Sequence, residues 1–177
     1  EIPGALALIV RNGETVYQKS FGIANPENNR PVSENDIFRI ASMTKAITSL
    51  AVLMLWEEGK FFLDDPISKY IPAFAETGIL DEFNTKDSTY TTTLPKNKMT
   101  IRHLLTHTSG IGYGEIDGNT AIRSIYLKRG LRDIFAPDQT MEEVTNAIAA
   151  QPIHHEPGER FTYSLGLDVL GHFVELM

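Results

Sequence analysis

Apolar residues follow two rhythms along this chain. Residues 5–10 form a β-prone run, Asn12-Gly13 supplies residues that tolerate a tight hairpin turn, and Thr15-Val16-Tyr17 begins a return strand. Gly22 and Asn25-Pro26 end it, so a β-hairpin is predicted over residues 5–24. A polar stretch (26–36) and a short apolar segment (37–41) lead into a helix that opens at Ser42. Along it Ile47, Leu50, Ala51, Met54 and Leu55 recur at helical spacing, and Gly59 is placed to cap its end. Asp64-Asp65-Pro66 opens a helical turn that Ile71-Pro72 closes, and residues 75–99 read as a long polar loop with a small hairpin. Thr100 caps a short helix carrying Ile101, Leu104 and Leu105, which stops at Ser109-Gly110. After a Gly-rich loop through Gly118, a helix is expected over 120–128. Another starts at the Thr140/Glu143 capping box, with Val144, Ala147 and Ile148 as its buried stripe and Pro152 at its end. Pro157-Gly158 is a turn and residues 161–163 are extended. Leu167, Leu170, Gly171, Val174 and Met177 mark a last helix.

Charge and composition narrow the function classes. The net charge of −7 comes without a clustered Lys/Arg patch, which disfavours nucleic-acid binding. The longest apolar run, residues 46–56, is far too short to span a bilayer. Without Cys there is no disulfide, no thiol catalysis and no Cys-ligated metal. The opening Glu1-Ile2-Pro3-Gly4 has no basic region and no initiator Met, so a removed leader or a missing start is expected. The compartment stays open between cytoplasmic and secreted or periplasmic.

Ser42-Met43-Thr44-Lys45 is the chemical centre. Residues three apart share a helix face, so the Lys45 amine is within reach of the Ser42 hydroxyl. A serine needs a neighbour to accept its proton, and a partly buried lysine with a lowered pKa is one such neighbour. Ser42 at a helix start also gains from free backbone N–H groups. On its own this spacing equally describes a capping serine and a solvated lysine; the preceding Phe38-Arg39-Ile40-Ala41 and the apolar helix that follows favour the catalytic reading. His103 and His107, four apart, form a possible metal pair, but no Glu follows His103 and no third ligand is evident. His154-His155 is left open as rim or surface. Glu57-Glu58 and Asp64-Asp65 read as solvated helix ends. The loop 111–137 reads equally as plain surface or as a cleft border, with Tyr113 and Tyr126 the residues to test.

Residues 38–45 (FRIASMTK) resemble the nucleophile segment of the class C β-lactamase-like branch of serine hydrolases. That branch includes penicillin-binding proteins, D-aminopeptidases and family VIII carboxylesterases, the last being the nearest likeness. Residues 99–111 (MTIRHLLTHTSGI) resemble its internal signature, and residues 156–164 (EPGERFTYS) its second catalytic motif, in the right order. The resemblance implies an α/β fold, with an antiparallel sheet flanked by helices and a mostly helical insert. It divides the chain into a sheet hairpin and lead-in (1–41), the nucleophile helix and insert (42–162), and the Tyr motif with its following helix (163–177). It implies Ser42 as the acylated nucleophile, Lys45 and Tyr163 as acid/base partners, and no metal or organic cofactor.

Two departures shape the expectation. Where the branch's β-lactamases carry Asn to recognise a substrate amide, this chain has Leu165, which forms no hydrogen bond. Leu165 and Tyr113 are therefore expected to border a small ester or acyl substrate. The branch's third motif, on a later strand, is absent, so this chain is expected to be an N-terminal portion that needs C-terminal strands from the same or another chain. A β-lactamase or D-amino-acid peptidase of the same group, and a non-catalytic binding relative, remain as alternatives.

Overall fold

The computed structural model describes residues 2–131 and 139–177, in two compact units, residues 1–41 and 42–177. The part of the 111–137 loop that falls in 132–137 lies outside the described residues.

The first unit is the predicted hairpin, extended. β1 (Gly4–Arg11) pairs antiparallel with β2 (Glu14–Asn25), and a short β3 (Arg30–Pro31), not foreseen, pairs with the far end of β2. Asn12 and Gly13 both take positive φ, 51° and 82°, the geometry a two-residue hairpin turn requires. Gly22 is compelled twice: its φ is +71°, and an added Cβ would lie 2.2 Å from the Pro3 carbonyl oxygen. Leu8, Val10, Val16 and Phe21 are all exposed in this unit.

The second unit is mainly helical: α1 (Thr44–Glu57), α2 (Ile101–Leu105), α3 (Thr120–Lys128), α4 (Met141–Ala149) and α5 (Gly166–Leu176), with the small hairpin β4 (Ile79–Phe83) and β5 (Tyr90–Thr93). Mixed helix and antiparallel sheet is the expected class. α5 is the central element: α1, α2 and α4 all pack against it, and Phe173 meets Phe61 and Tyr70 edge-on at 4.9 and 5.0 Å. Caps anticipated from sequence are present. The Thr140 side chain accepts from the Glu143 N–H while Glu143 accepts from the Thr140 N–H. At Thr100 the reciprocal partner is the His103 ring instead of a Glu or Gln.

Several expectations change. Pro72 does not close a helical turn; it opens a second 3-10 turn, Pro72–Glu76, after the one at Ile67–Lys69. α2 ends at Leu105, so Ser109-Gly110 lies in the loop beyond it. α1 buries only part of the stripe its spacing suggested, Ala51 and Leu55. Ile47, Leu50 and Met54 are exposed, whereas Val52 is fully buried, with Lys45, Thr48, Ser49 and Leu55 along the same packed side. The reason is that α1 is apolar nearly all round, so periodicity alone selects no inner face. In α5 the predicted Leu167 and Leu170 are buried, and Val169 and Phe173 are buried as completely as Leu170.

Candidate active site

The backbone prepares the serine. Ala41 has φ 45°, a left-handed conformation that costs an alanine roughly 1–2 kcal/mol, and Ser42 follows in a 3-10 turn (Ala41–Met43) that runs into α1. Ser42 is exposed. Lys45 stands on the packed face of α1, so its stem is held while its amine points along that side.

Tyr163 comes from the segment before α5, 121 positions away in sequence from Ser42. Its hydroxyl donates to Ser42 Oγ at 2.8 Å. Two contacts hold this segment. The Thr162 N–H donates to the His107 carbonyl at 2.7 Å, and the His107 ring packs tilted against the Tyr163 ring at 4.7 Å. His107 Nδ1 accepts from the Ser164 N–H at 3.2 Å, which leaves the ring's other nitrogen to carry its proton. Burial and the Lys45 charge both push His107 below the ordinary histidine range, so it serves here as a neutral brace.

The Lys45 amine donates to the Tyr113 hydroxyl at 3.3 Å and lies 5.2 Å from the ring centroids of both Tyr113 and Tyr163. The two rings stack, 5.1 Å apart and 12° from parallel. Lys45 thus sits between two phenols, with its hydrogen bond going to Tyr113 instead of Ser42. Burial works against its charge, but the Tyr113 hydroxyl, the Asp168 carboxylate and the Tyr163 hydroxyl together outweigh burial and hold the amine above its ordinary value. This corrects the expectation of a lysine with a lowered pKa. A lysine held charged cannot take a proton from Ser42; it supplies positive charge beside the two phenol rings.

Tyr113 is fixed by a buried relay. Asp117 Oδ2 accepts from the Tyr113 N–H at 3.0 Å and sits 2.9 Å from His154 Nε2. Burial opposes ionisation of Asp117, but His154 and the Asn119 and Tyr113 N–H groups prevail and keep its carboxyl below the usual range. His154 is therefore a half-buried partner of Asp117, and His155 is buried, 2.8 Å from Thr162 Oγ1. Asp65, read as a solvated end, accepts from Tyr70 and Lys69, which pull it down to about 2.

Leu165, expected near substrate, lies in the core, and so does Tyr126, which the sequence left open between surface and cleft border. Tyr126 is fully buried, and its hydroxyl accepts from the Gly112 N–H at 3.1 Å. Leu165 is only 1% exposed, and its N–H bonds the Gly112 carbonyl. Two positions after Tyr163 the chain is already entering α5, so the side chain turns inward. An Asn here would bury an amide among apolar neighbours. Leu165→Asn is expected to destabilise the fold by about 1–3 kcal/mol without creating β-lactam hydrolysis, measured by thermal unfolding and a chromogenic cephalosporin assay. His103 and His107 do not face one another as ligands: His103 completes the α2 cap and His107, at φ 55°, lies beyond the helix.

Asp168 was not singled out from sequence. It lies in the first turn of α5, where an acidic residue reads as an ordinary partner of the helix dipole. Only the packing of α5 on α1 reveals its relation to Lys45.

The chain is 39% identical over 173 residues to Esterase EstB of Burkholderia gladioli, covering 97% of this chain and 40% of that protein. Among solved structures it resembles EstCE1, described as a hydrolase with promiscuous acyltransferase activity, at TM-score 0.78 and 31% identity. That likeness covers 99% of this chain and 42% of the other. It also resembles the unliganded simvastatin synthase LovD of Aspergillus terreus, at TM-score 0.73 and 26% identity, over 98% of this chain and 44% of LovD. The chain thus spans well under half the length of each. The family described as Beta-lactamase matches residues 1–176, and this chain belongs to that family.

Proposed function

We propose that this chain carries the nucleophile and proton-transfer groups of a serine hydrolase that cleaves a carboxylic ester through a Ser42 acyl-enzyme. The single observation that carries this reading is the 2.8 Å contact between the Tyr163 hydroxyl and Ser42 Oγ, with the Lys45 ammonium against the same ring. In the resting pair the phenol donates. Once the phenol has lost its proton to solvent, the same contact runs the other way. The phenolate takes the Ser42 proton as Oγ bonds to the ester carbonyl carbon, and the carbonyl oxygen becomes an oxyanion. When the intermediate collapses, the ester C–O bond breaks and Tyr163 returns the proton to the departing alkoxide. Water then attacks the acyl-enzyme by the same route in reverse. Lys45 stays charged throughout and stabilises the negative phenol oxygen.

The ester preference is supported by the likeness to EstB and EstCE1. It no longer draws on Leu165, whose side chain is in the core. Since EstCE1 and LovD are named for acyl transfer and synthesis, an alcohol in place of water as final acceptor is the second reading. The substrate is a small ester or acyl compound. The remaining oxyanion donors come from protein beyond these residues, a reading supported by the 40–44% coverage and by the exposed apolar side of α1 at Ile47, Leu50 and Met54. Among the described residues no helix is long and apolar enough to cross a membrane.

The test is covalent labelling of the full-length protein with an alkyl phosphonate ester, followed by mass spectrometry. An adduct on Ser42 that disappears in Lys45→Ala is expected. Labelling of another residue, or none in a folded protein that also hydrolyses no ester, overturns the proposal.

A further inference from the structure

Asp168 is a half-buried acidic group beside this site that the proposed chemistry does not use. Its Oδ2 is sealed from solvent and has no hydrogen-bond partner among the described residues. A buried carboxylate oxygen with nothing to donate to it is costly, by several kcal/mol when it carries charge unopposed. Some other interaction must offset that cost. The two helices concerned pack directly on each other: α1 presents Lys45 on its packed face, and α5 presents Asp168 in its first turn, five residues after Tyr163. Lys45 is also the cation whose field acts on Asp168.

We propose that Asp168 is the buried counter-ion of Lys45, and through it a positioning residue for acylation of Ser42. The Lys45 amine meets Tyr113 from the loop after α2 and Tyr163 from the segment before α5, while His107, at the start of that loop, and Asp168, from α5, interact with its charge without a direct hydrogen bond to it. His107 is braced neutral. Asp168 alone among these brings a formal negative charge. Its contribution is to keep a cation in place before any phenolate exists, so that the charge is already set when Tyr163 loses its proton. Burial raises the Asp168 carboxyl and Lys45 opposes that rise, the behaviour of one member of an unequal pair. The alternative assignment, a helix-dipole carboxylate, needs no lysine and leaves Lys45 indifferent to its loss.

The pairing can be tested apart from turnover; only its role in acylation rests on the function proposed above. In the full-length protein, trace labelling of amines with acetic anhydride, mapped by mass spectrometry against the exposed Lys86, reads the ionisation of Lys45 directly. In Asp168→Asn, which keeps the shape and removes the charge, Lys45 is expected to react about tenfold faster at fixed alkaline pH, equivalent to one unit of pKa. Unchanged Lys45 reactivity in a folded Asp168→Asn protein overturns the counter-ion assignment. Should that variant fail to fold, Tyr113→Phe, which removes the largest other influence raising Lys45, decides: Lys45 still half-reacting at a higher pH than Lys86 supports the pairing, and half-reacting below it overturns it. Phosphonate labelling of Ser42 in the same samples separates the two claims. A Lys45 shift with no slowing of Ser42 labelling retains the ion pair and removes its role in acylation. A Lys45 shift in a protein whose Ser42 is never labelled leaves the pair standing and sinks the acyl-enzyme reading alone.

Discussion

Ser42→Ala in the full-length protein is expected to lower ester kcat/KM by about 10⁴-fold or more while leaving KM for a slowly turned-over ester little changed. The substitution removes one oxygen atom from an exposed position in a 3-10 turn, so it opens no cavity and should move the melting temperature only slightly. Its effect is chemical. Without Oγ no covalent acyl-enzyme forms, and what survives is only the rate that orientation and any oxyanion donors confer on direct attack by water. Release of alcohol followed by progress-curve analysis measures the loss. A burst of alcohol equal to the enzyme concentration in the native protein, absent from Ser42→Ala, checks the covalent step independently. A loss of less than tenfold would mean that the nucleophile lies elsewhere.

Removing the Tyr163 hydroxyl should be nearly as severe. Tyr163→Phe retains the ring that stacks on Tyr113 and packs against His107, and deletes only the atom that touches Ser42 Oγ. General acid–base catalysis of this kind is typically worth about 10²–10⁴-fold, and the loss should fall on kcat rather than KM. The same deletion at Tyr113 makes a useful contrast. Tyr113→Phe loses a hydroxyl that accepts from Lys45 but does not touch Ser42, so its effect should be several-fold smaller. Equal losses at the two positions would show that the phenols are interchangeable and that the proton route is not the one assigned. Stopped-flow release of a nitrophenol, with melting temperatures run alongside, distinguishes lost chemistry from lost fold.

Much of this was legible along the chain, for identifiable physical reasons. The hairpin turn at Asn12-Gly13, the Thr140/Glu143 capping box and helix 120–128 are written in local chemistry: residues that tolerate positive φ, side chains that reach their own helix start, and apolar spacing on a segment with a polar face. The Ser42/Lys45 spacing belongs to the same class, since three residues of helix suffice to put both on one side.

Other features depend on what lies opposite in space. An almost wholly apolar α1 does not declare its inner face until α5 covers one side of it, which is why Lys45 and Val52, and not Ile47 and Leu50, turn out to face the core. Leu165 looked like a substrate contact because it stands two residues from Tyr163, yet the onset of α5 turns it inward. Tyr113 and Tyr126 were indistinguishable as aromatic residues of one loop; the fold sends the first to Lys45 and the second into the core beneath Gly112.

What the amino-acid order determined by itself is therefore most of the local elements and the placing of Ser42 and Lys45 three residues apart at one helix start. What only tertiary structure decided is the electrostatic state of that lysine. Its ionisation depends on a phenol 68 residues away and a carboxylate on a distant helix, brought together by packing that no local pattern encodes.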